Sequence, residues 1–148
     1  MNNSGHTTGK LSPEHRQHLR EEGFPDDSIE KMVQEGLIES LTAAEAYKAG
    51  FSVAIDNIPV TGGIRFNFTD TFAQLRTDNP DVLKDKDGKP IKYLSLPGAI
   101  DLSCAYIPDG CEAITEGMKD AIAFSLIGGI PTGATPFPLK EYRKGYNY

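Results

Sequence analysis

The residues with the clearest chemical promise lie in "CEAITEGMKDAIAFSLIGGIPTGATP", positions 111–136. An apolar run there ends at a carboxylate, Glu116, and is followed at once by Gly117, with Lys119 two positions on. A carboxylate in such a place can ligate a hard cation such as Mg²⁺ or exchange a proton with a hydroxyl. Glycine lets backbone or ligand approach closely. The unpaired amides that open a helix favour an anion, and Lys119 could reach the same phosphate.

For these groups to act together, the chain around them must form particular elements. "EAIT" is expected as a short buried strand. "GMKDAIAFSLIGG" is expected as a helix with Met118, Ala121, Ile122, Ser125 and Leu126 toward the sheet, and "IPTGA" as the next, parallel strand. That is a βαβ unit with its right-handed crossover. In open α/β sheets ligands sit beyond the carboxyl ends of the strands, which is where Glu116 falls.

Residues 11–50 predict three short helices. Ser12 then Pro13 is a start signal, a hydroxyl cap followed by proline at the first helical position, and the helix should stop near Gly23. "FPDDSIEKMVQEG" restarts after Pro25 with Asp26 or Asp27 as cap, and Ile29, Met32 and Val33 line one face. "LTAAEAYKAG" opens with Thr42 and Glu45 at capping-box spacing and closes at Gly50. Leu37, Ile38 and Leu41, between the helices, should form their shared core. From residue 51 the period turns to alternation. "GIRFNFTD" puts Ile64, Phe66 and Phe68 on one face, and "TFAQLR" is its partner or the start of a new strand. Asp87–Gly88 predicts a hairpin turn, followed by a strand through Ile91, Tyr93 and Leu94. "LSCAYIP" predicts another short strand.

Composition narrows the function classes. The chain has 148 residues, 39% hydrophobic and 24% charged, which fits a soluble globular protein rather than a disordered one. No apolar run approaches the roughly 20 residues that span a bilayer, and "MNNSGHTTGK" lacks a signal-peptide pattern. Cys104 and Cys111 are too few and wrongly spaced for a disulfide framework or zinc site, so reduced thiols in a cytoplasmic protein are expected. A net charge of −6 argues against a stand-alone nucleic-acid binder, whose affinity comes largely from phosphate contacts. Only Lys140, Arg143 and Lys144 make a weak basic cluster. An acidic chain can still act on nucleic acid when metal ions bridge carboxylates to phosphates, or when another domain grips the strand.

Other candidates are weaker. "DKDGK" fails as a calcium loop: counting from Asp85, glycine is fourth rather than sixth, and position twelve is Leu96 rather than glutamate. His15 and His18 are a possible metal pair without an evident third ligand, so a solvated helix face is expected. The Asn67-Phe68-Thr69 sequon has no meaning without secretion. All three histidines fall in the first 18 residues, and no Ser/His/Asp arrangement stands out.

"TEGMKDAIAFSLIGGIPTGA" resembles the Toprim (topoisomerase–primase) pattern of apolar strand, Glu-Gly, helix, small-residue turn and second strand. The chain is closer still to a Toprim-like domain-of-unknown-function family of cyanobacterial, plasmid and phage replication proteins, often beside primase or helicase modules. A helical opener like "LSPEHRQHLREEGFPDDSIEKMVQEGLIES", a segment like "DKDGKPIKYLSLPG", a "YIP" strand and the Glu-Gly element occur in that family's order, over roughly residues 11–134. The resemblance implies Mg²⁺-assisted phosphoryl chemistry in DNA replication, with Glu116 as general acid/base or metal ligand. Lys119 matches the first lysine of the family's Glu-Gly-x-Lys-Lys run, and Lys92–Tyr93 match its Lys-Tyr pair. The second lysine of the run is Asp120 here. No Asp-x-Asp follows Glu116, and the one present, Asp85 and Asp87, precedes it.

The expected architecture is therefore α+β, with α/β character in its C-terminal part. Residues 1–10 form a disordered tail, 11–50 a helical module, 51–110 a β-rich segment and 111–148 a partial Toprim-like βαβ unit. The polar, aromatic ending "KEYRKGYNY" suggests a chain that stops in mid-fold. The expected function is a partial Toprim-like domain of a replication protein, inactive alone, that meets nucleic acid or nucleotide through the full-length protein and associates with no membrane. The alternatives are a non-enzymatic docking module that recruits replication partners, and an unrelated α+β domain with a chance Glu-Gly turn.

Overall fold

In a computed structural model that describes residues 10–138, the chain divides into two units. One comprises residues 10–67 together with 73–97, and the other comprises 68–72 and 98–138. Helices combine with antiparallel and parallel sheet, an α+β fold.

The first unit opens with α1 (Pro13–Glu21), whose cap is the expected one: the Ser12 hydroxyl accepts from the His15 amide at 3.1 Å. It ends where Gly23 takes φ of +103°, and the Phe24 amide returns to the Leu19 carbonyl. α2 (Asp26–Gln34) departs from expectation at its start. Pro25 holds the cap position and makes no side-chain cap bond, while Asp26 and Asp27 lie in the first turn. Their charges there complement the positive end of the helix dipole instead of capping it.

The next segment is a strand, β1 (Ile38–Leu41), rather than the expected interhelical core connector. α3 (Ala43–Lys48) follows, with both halves of the Thr42–Glu45 capping box formed. Then come β2 (Ala54–Ile55), β3 (Ile58–Pro59), β4 (Gly63–Asn67), β5 (Ala73–Thr77) and β6 (Tyr93–Ser95). Asp56 and Asn57, both at positive φ, join β2 to β3, the geometry a two-residue hairpin demands.

The main sheet is antiparallel in the order β1-β4-β5-β6. Its register decides which residues share a face. Ile38 pairs with Phe66 and Ser40 with Ile64, so these four lie on one side, and α1 approaches that side through a hydrogen bond between His15 and Ser40. Leu75 and Ala73 lie on the other, where they pack with Ala46 of α3, Phe51 and Val53. Helices on both faces explain why β4 is buried along most of its length. Beyond β5, the expected turn is present: the Gly88 amide bonds the Asp85 carbonyl, and Lys84 bridges Pro90.

In the second unit the "LSCAYIP" segment is not a strand. Leu102–Cys104 is a single 3₁₀ turn capped by the Asp101 carboxylate, and of the segment only Tyr106 makes a β-bridge, to Ala134. A short polar cap competes with extended pairing, and Asp101 supplies it. The expected βαβ unit is present, but its first strand is not the buried one expected: Ala113 and Glu116 are exposed, and Ile114 and Thr115 half-buried. β7 (Ala113–Glu116) pairs in parallel with β8 (Thr132–Thr135), and α4 (Met118–Ile122) connects them through a π turn, Ala123–Ile127. Met118, Ala121 and Ile122 are buried, and Ser125 and Leu126 half-buried, which is the face their spacing predicts. The Ser125 hydroxyl accepts from the Thr132 amide at 3.0 Å and so pins the π turn to the start of β8. No helix among the described residues is long and apolar enough to cross a membrane.

Candidate functional site

Glu116 is the last residue of β7, exposed, and in register with Thr135 at the end of β8. The two parallel strands therefore finish side by side, with the carboxylate at their carboxyl ends. Gly117 follows at φ 87° and ψ 150°, backbone that is essentially restricted to glycine. A Cβ there would meet nothing within 4 Å, so conformation rather than crowding demands the glycine. Lys119 is half-buried in the first turn of α4.

The anion-binding half of the expected chemistry is weakened by three features of this corner. The Gly117 amide donates to the Thr135 carbonyl at 2.9 Å, so the sheet engages the first amide after the strand. α4 proper is five residues long, too short to build an appreciable dipole. Asp120 stands in its first turn and adds a negative charge to that end of the helix, which disfavours a second anion there.

The cation half is incomplete as well. Mg²⁺ is held by several oxygen ligands in near-octahedral array. Among the described residues, no group of three or more His, Cys, Asp or Glu side chains gathers to hold a metal. Glu116 is one ligand, and these residues do not by themselves fit the ion. Asp85 and Asp87 offer no substitute: the Asp85 carboxylate accepts from the amides of Asp87 and Lys89 at 2.8 and 3.0 Å and serves as a turn cap. Lys92 and Tyr93 lie at the start of the edge strand β6, both exposed, and the Lys92 carbonyl accepts from the Thr77 amide. Lys140, Arg143 and Lys144 lie outside the described residues.

His15 and His18 are not a metal pair, nor is their helix face simply solvated. His18 Nε2 sits 3.6 Å from Glu22 Oε1. His15 turns inward and is 9% exposed. Its Nδ1 lies 2.5 Å from Ser40 Oγ and its Nε2 lies 2.5 Å from Asp78 Oδ1. A Ser/His/Asp constellation is thus assembled from α1, β1 and the residue after β5, with partners 25 and 63 positions from the histidine. No spacing rule in the sequence exposes it, because only sheet pairing brings the ends of β1 and β5 under α1. The Ser40 hydroxyl also accepts from the Ser12 amide at 2.8 Å. A cleft of about 450 Å³ opens beside it, lined by His15 and Ser40 together with Leu11, Pro13, Leu41 and Thr42.

Neither a protein-family model, nor a curated protein, nor a solved structure matches this chain.

Proposed function

We propose that the chain is a Toprim-like unit of a plasmid- or phage-type DNA replication protein, which contributes Glu116 to a phosphoryl-transfer site and is inactive alone. The observation that carries this reading is the corner at Glu116. A carboxylate ends one of two paired parallel strands, a left-handed glycine follows, and a helix leads back to the second strand. That is the position at which open α/β sheets meet their ligands. On this reading Glu116 alone would not complete the oxygen cage that the Mg²⁺ of such chemistry needs, and the remaining ligands would come from elsewhere in the full-length protein. Nucleic acid or nucleotide would be gripped by other parts of the full-length protein, beside primase or helicase modules, which suits a chain of net charge −6.

The test is Mn²⁺ titration of the labelled chain. Weak paramagnetic broadening centred on the Gly117 amide, lost in Glu116→Gln, is the expected result. Broadening that is spread evenly over surface carboxylates would remove Glu116 from the site.

A second reading, a docking module for replication partners, has its own support. Ile107, Phe124, Ile127 and Ile130 in the second unit are 50, 50, 54 and 43% exposed. Large apolar side chains so exposed are common at protein–protein contacts. Phe124→Ser with Ile127→Ser would then abolish partner capture while Glu116→Gln would not, whereas the phosphoryl-transfer reading expects the reverse dependence for any activity of the full-length protein.

A further inference from the structure

We propose that Ser40 is a nucleophile activated by His15 and held in a second site, independent of Glu116, that accepts small activated acyl esters. Asp78 is the positioning residue. An ionised carboxylate can only accept, so the Nε2 atom facing Asp78 carries the ring proton. In the neutral ring Nδ1 is then a bare acceptor, and the Ser40 hydroxyl donates to it. That is the tautomer and the direction of donation a general base needs, with the two ring nitrogens in exchanged roles relative to the familiar serine-protease template. The Ser12 amide donates to Ser40 Oγ from another side and favours negative charge developing on that oxygen.

A purely structural pin between helix and strand explains the hydrogen bonds, but it does not call for an opening beside the hydroxyl. Here Ser40 and His15 both line a cleft, and Leu11, Pro13 and Leu41 give it an apolar lining that suits a short acyl chain. In the first step Oγ bonds to the ester carbonyl carbon and its proton passes to Nδ1. The bond to the alcohol oxygen then breaks, and Nδ1 returns the proton to the departing alkoxide. Water next attacks acyl-Ser40 and gives a proton to Nδ1, which hands it to Oγ as the acid leaves. The sum is ester plus water to acid plus alcohol, and no co-reactant is needed.

Turnover should be slow. The Ser12 amide is engaged by Ser40 and the Thr42 amide by Glu45, and a missing oxyanion donor costs about 10²–10³ in rate. Substrates are therefore esters with good leaving groups, not peptides.

The experiment exposes the full chain to an alkyl fluorophosphonate and to p-nitrophenyl acetate, with sites mapped by peptide mass. Ser40 should be modified in preference to every other hydroxyl, and Ser40→Ala should abolish the adduct. His15→Ala should slow labelling by about 10²–10⁴-fold, the usual contribution of a general base. Should that variant not fold, the wild-type chain supplies the test: its labelling rate should fall as acid protonates the imidazole. Asp78→Asn should slow labelling and displace that pH profile while the variant still melts cooperatively. Absence of a Ser40 adduct, labelling spread over surface hydroxyls, or a rate indifferent to pH would each overturn the proposal and leave a structural pin.

Discussion

His15 and Asp78, 63 residues apart, meet through Nε2 and Oδ1 at 2.5 Å, and this contact ties α1 to the end of β5. The histidine is buried and the carboxylate about half exposed, with side-chain exposures of 11 and 48%. Removing the ring leaves Ser40 and Asp78 without their shared partner, but Asp78 still reaches water and Ser40 keeps the Ser12 amide. His15→Ala should therefore lose about 0.5–1.5 kcal/mol per hydrogen bond removed, as read from urea unfolding. A loss below about 0.5 kcal/mol would mean the contact does not form in solution.

The α3 cap has a pH signature. Hydrogen bonding, first from the Thr42 amide and then from its hydroxyl, holds the Glu45 carboxyl below its usual range, with a smaller contribution from Lys10. Because the folded value is the lower one, this stabilisation is fully present above the unfolded value of about 4.3 and disappears as pH falls through the folded value. Thermal melts of Glu45→Gln against wild type should converge in that acidic window and differ above it. Thr42→Ala should cost about 1 kcal/mol at neutral pH.

Two glycines should respond very differently to the same methyl group. At Gly117 a Cβ meets nothing, and Gly117→Ala should cost about 1–3 kcal/mol for its backbone conformation alone. At Gly63 the Cβ would lie 2.1 Å from the Arg76 carbonyl oxygen, in the middle of the main sheet. Gly63→Ala should cost more than Gly117→Ala, and denaturant midpoints measured side by side decide the order.

Leu75 is wholly buried on β5, packed with Ala46, Phe51 and Val53. Leu75→Ala should cost about 2–5 kcal/mol through the cavity it leaves. Ser125→Ala, by contrast, removes one acceptor from the Thr132 amide and should cost about 1–3 kcal/mol. Hydrogen exchange at Thr132 should speed up in the second variant, and slow exchange there would show that the amide has found another acceptor.

Local signals determined a good deal of this protein. Ser12, Pro13, Thr42 with Glu45, and the glycines at 23 and 50 delimit α1 and α3, because caps and left-handed turns act within a few residues. Alternation at Ile64 and Phe66, the Asp87–Gly88 turn and the strand–Glu-Gly–helix corner were equally legible. What needed the tertiary structure was every decision made by a distant partner. Ile38–Leu41 is a strand because β4 lies alongside it, and "LSCAYIP" is not one because of that segment only Tyr106 finds a β-partner. Position in the chain left His15 looking like a surface residue. Pairing of β1 with β4 and of β4 with β5 carried Ser40 and Asp78 to it, and such long-range pairing depends on burying whole faces, which no short window of residues contains.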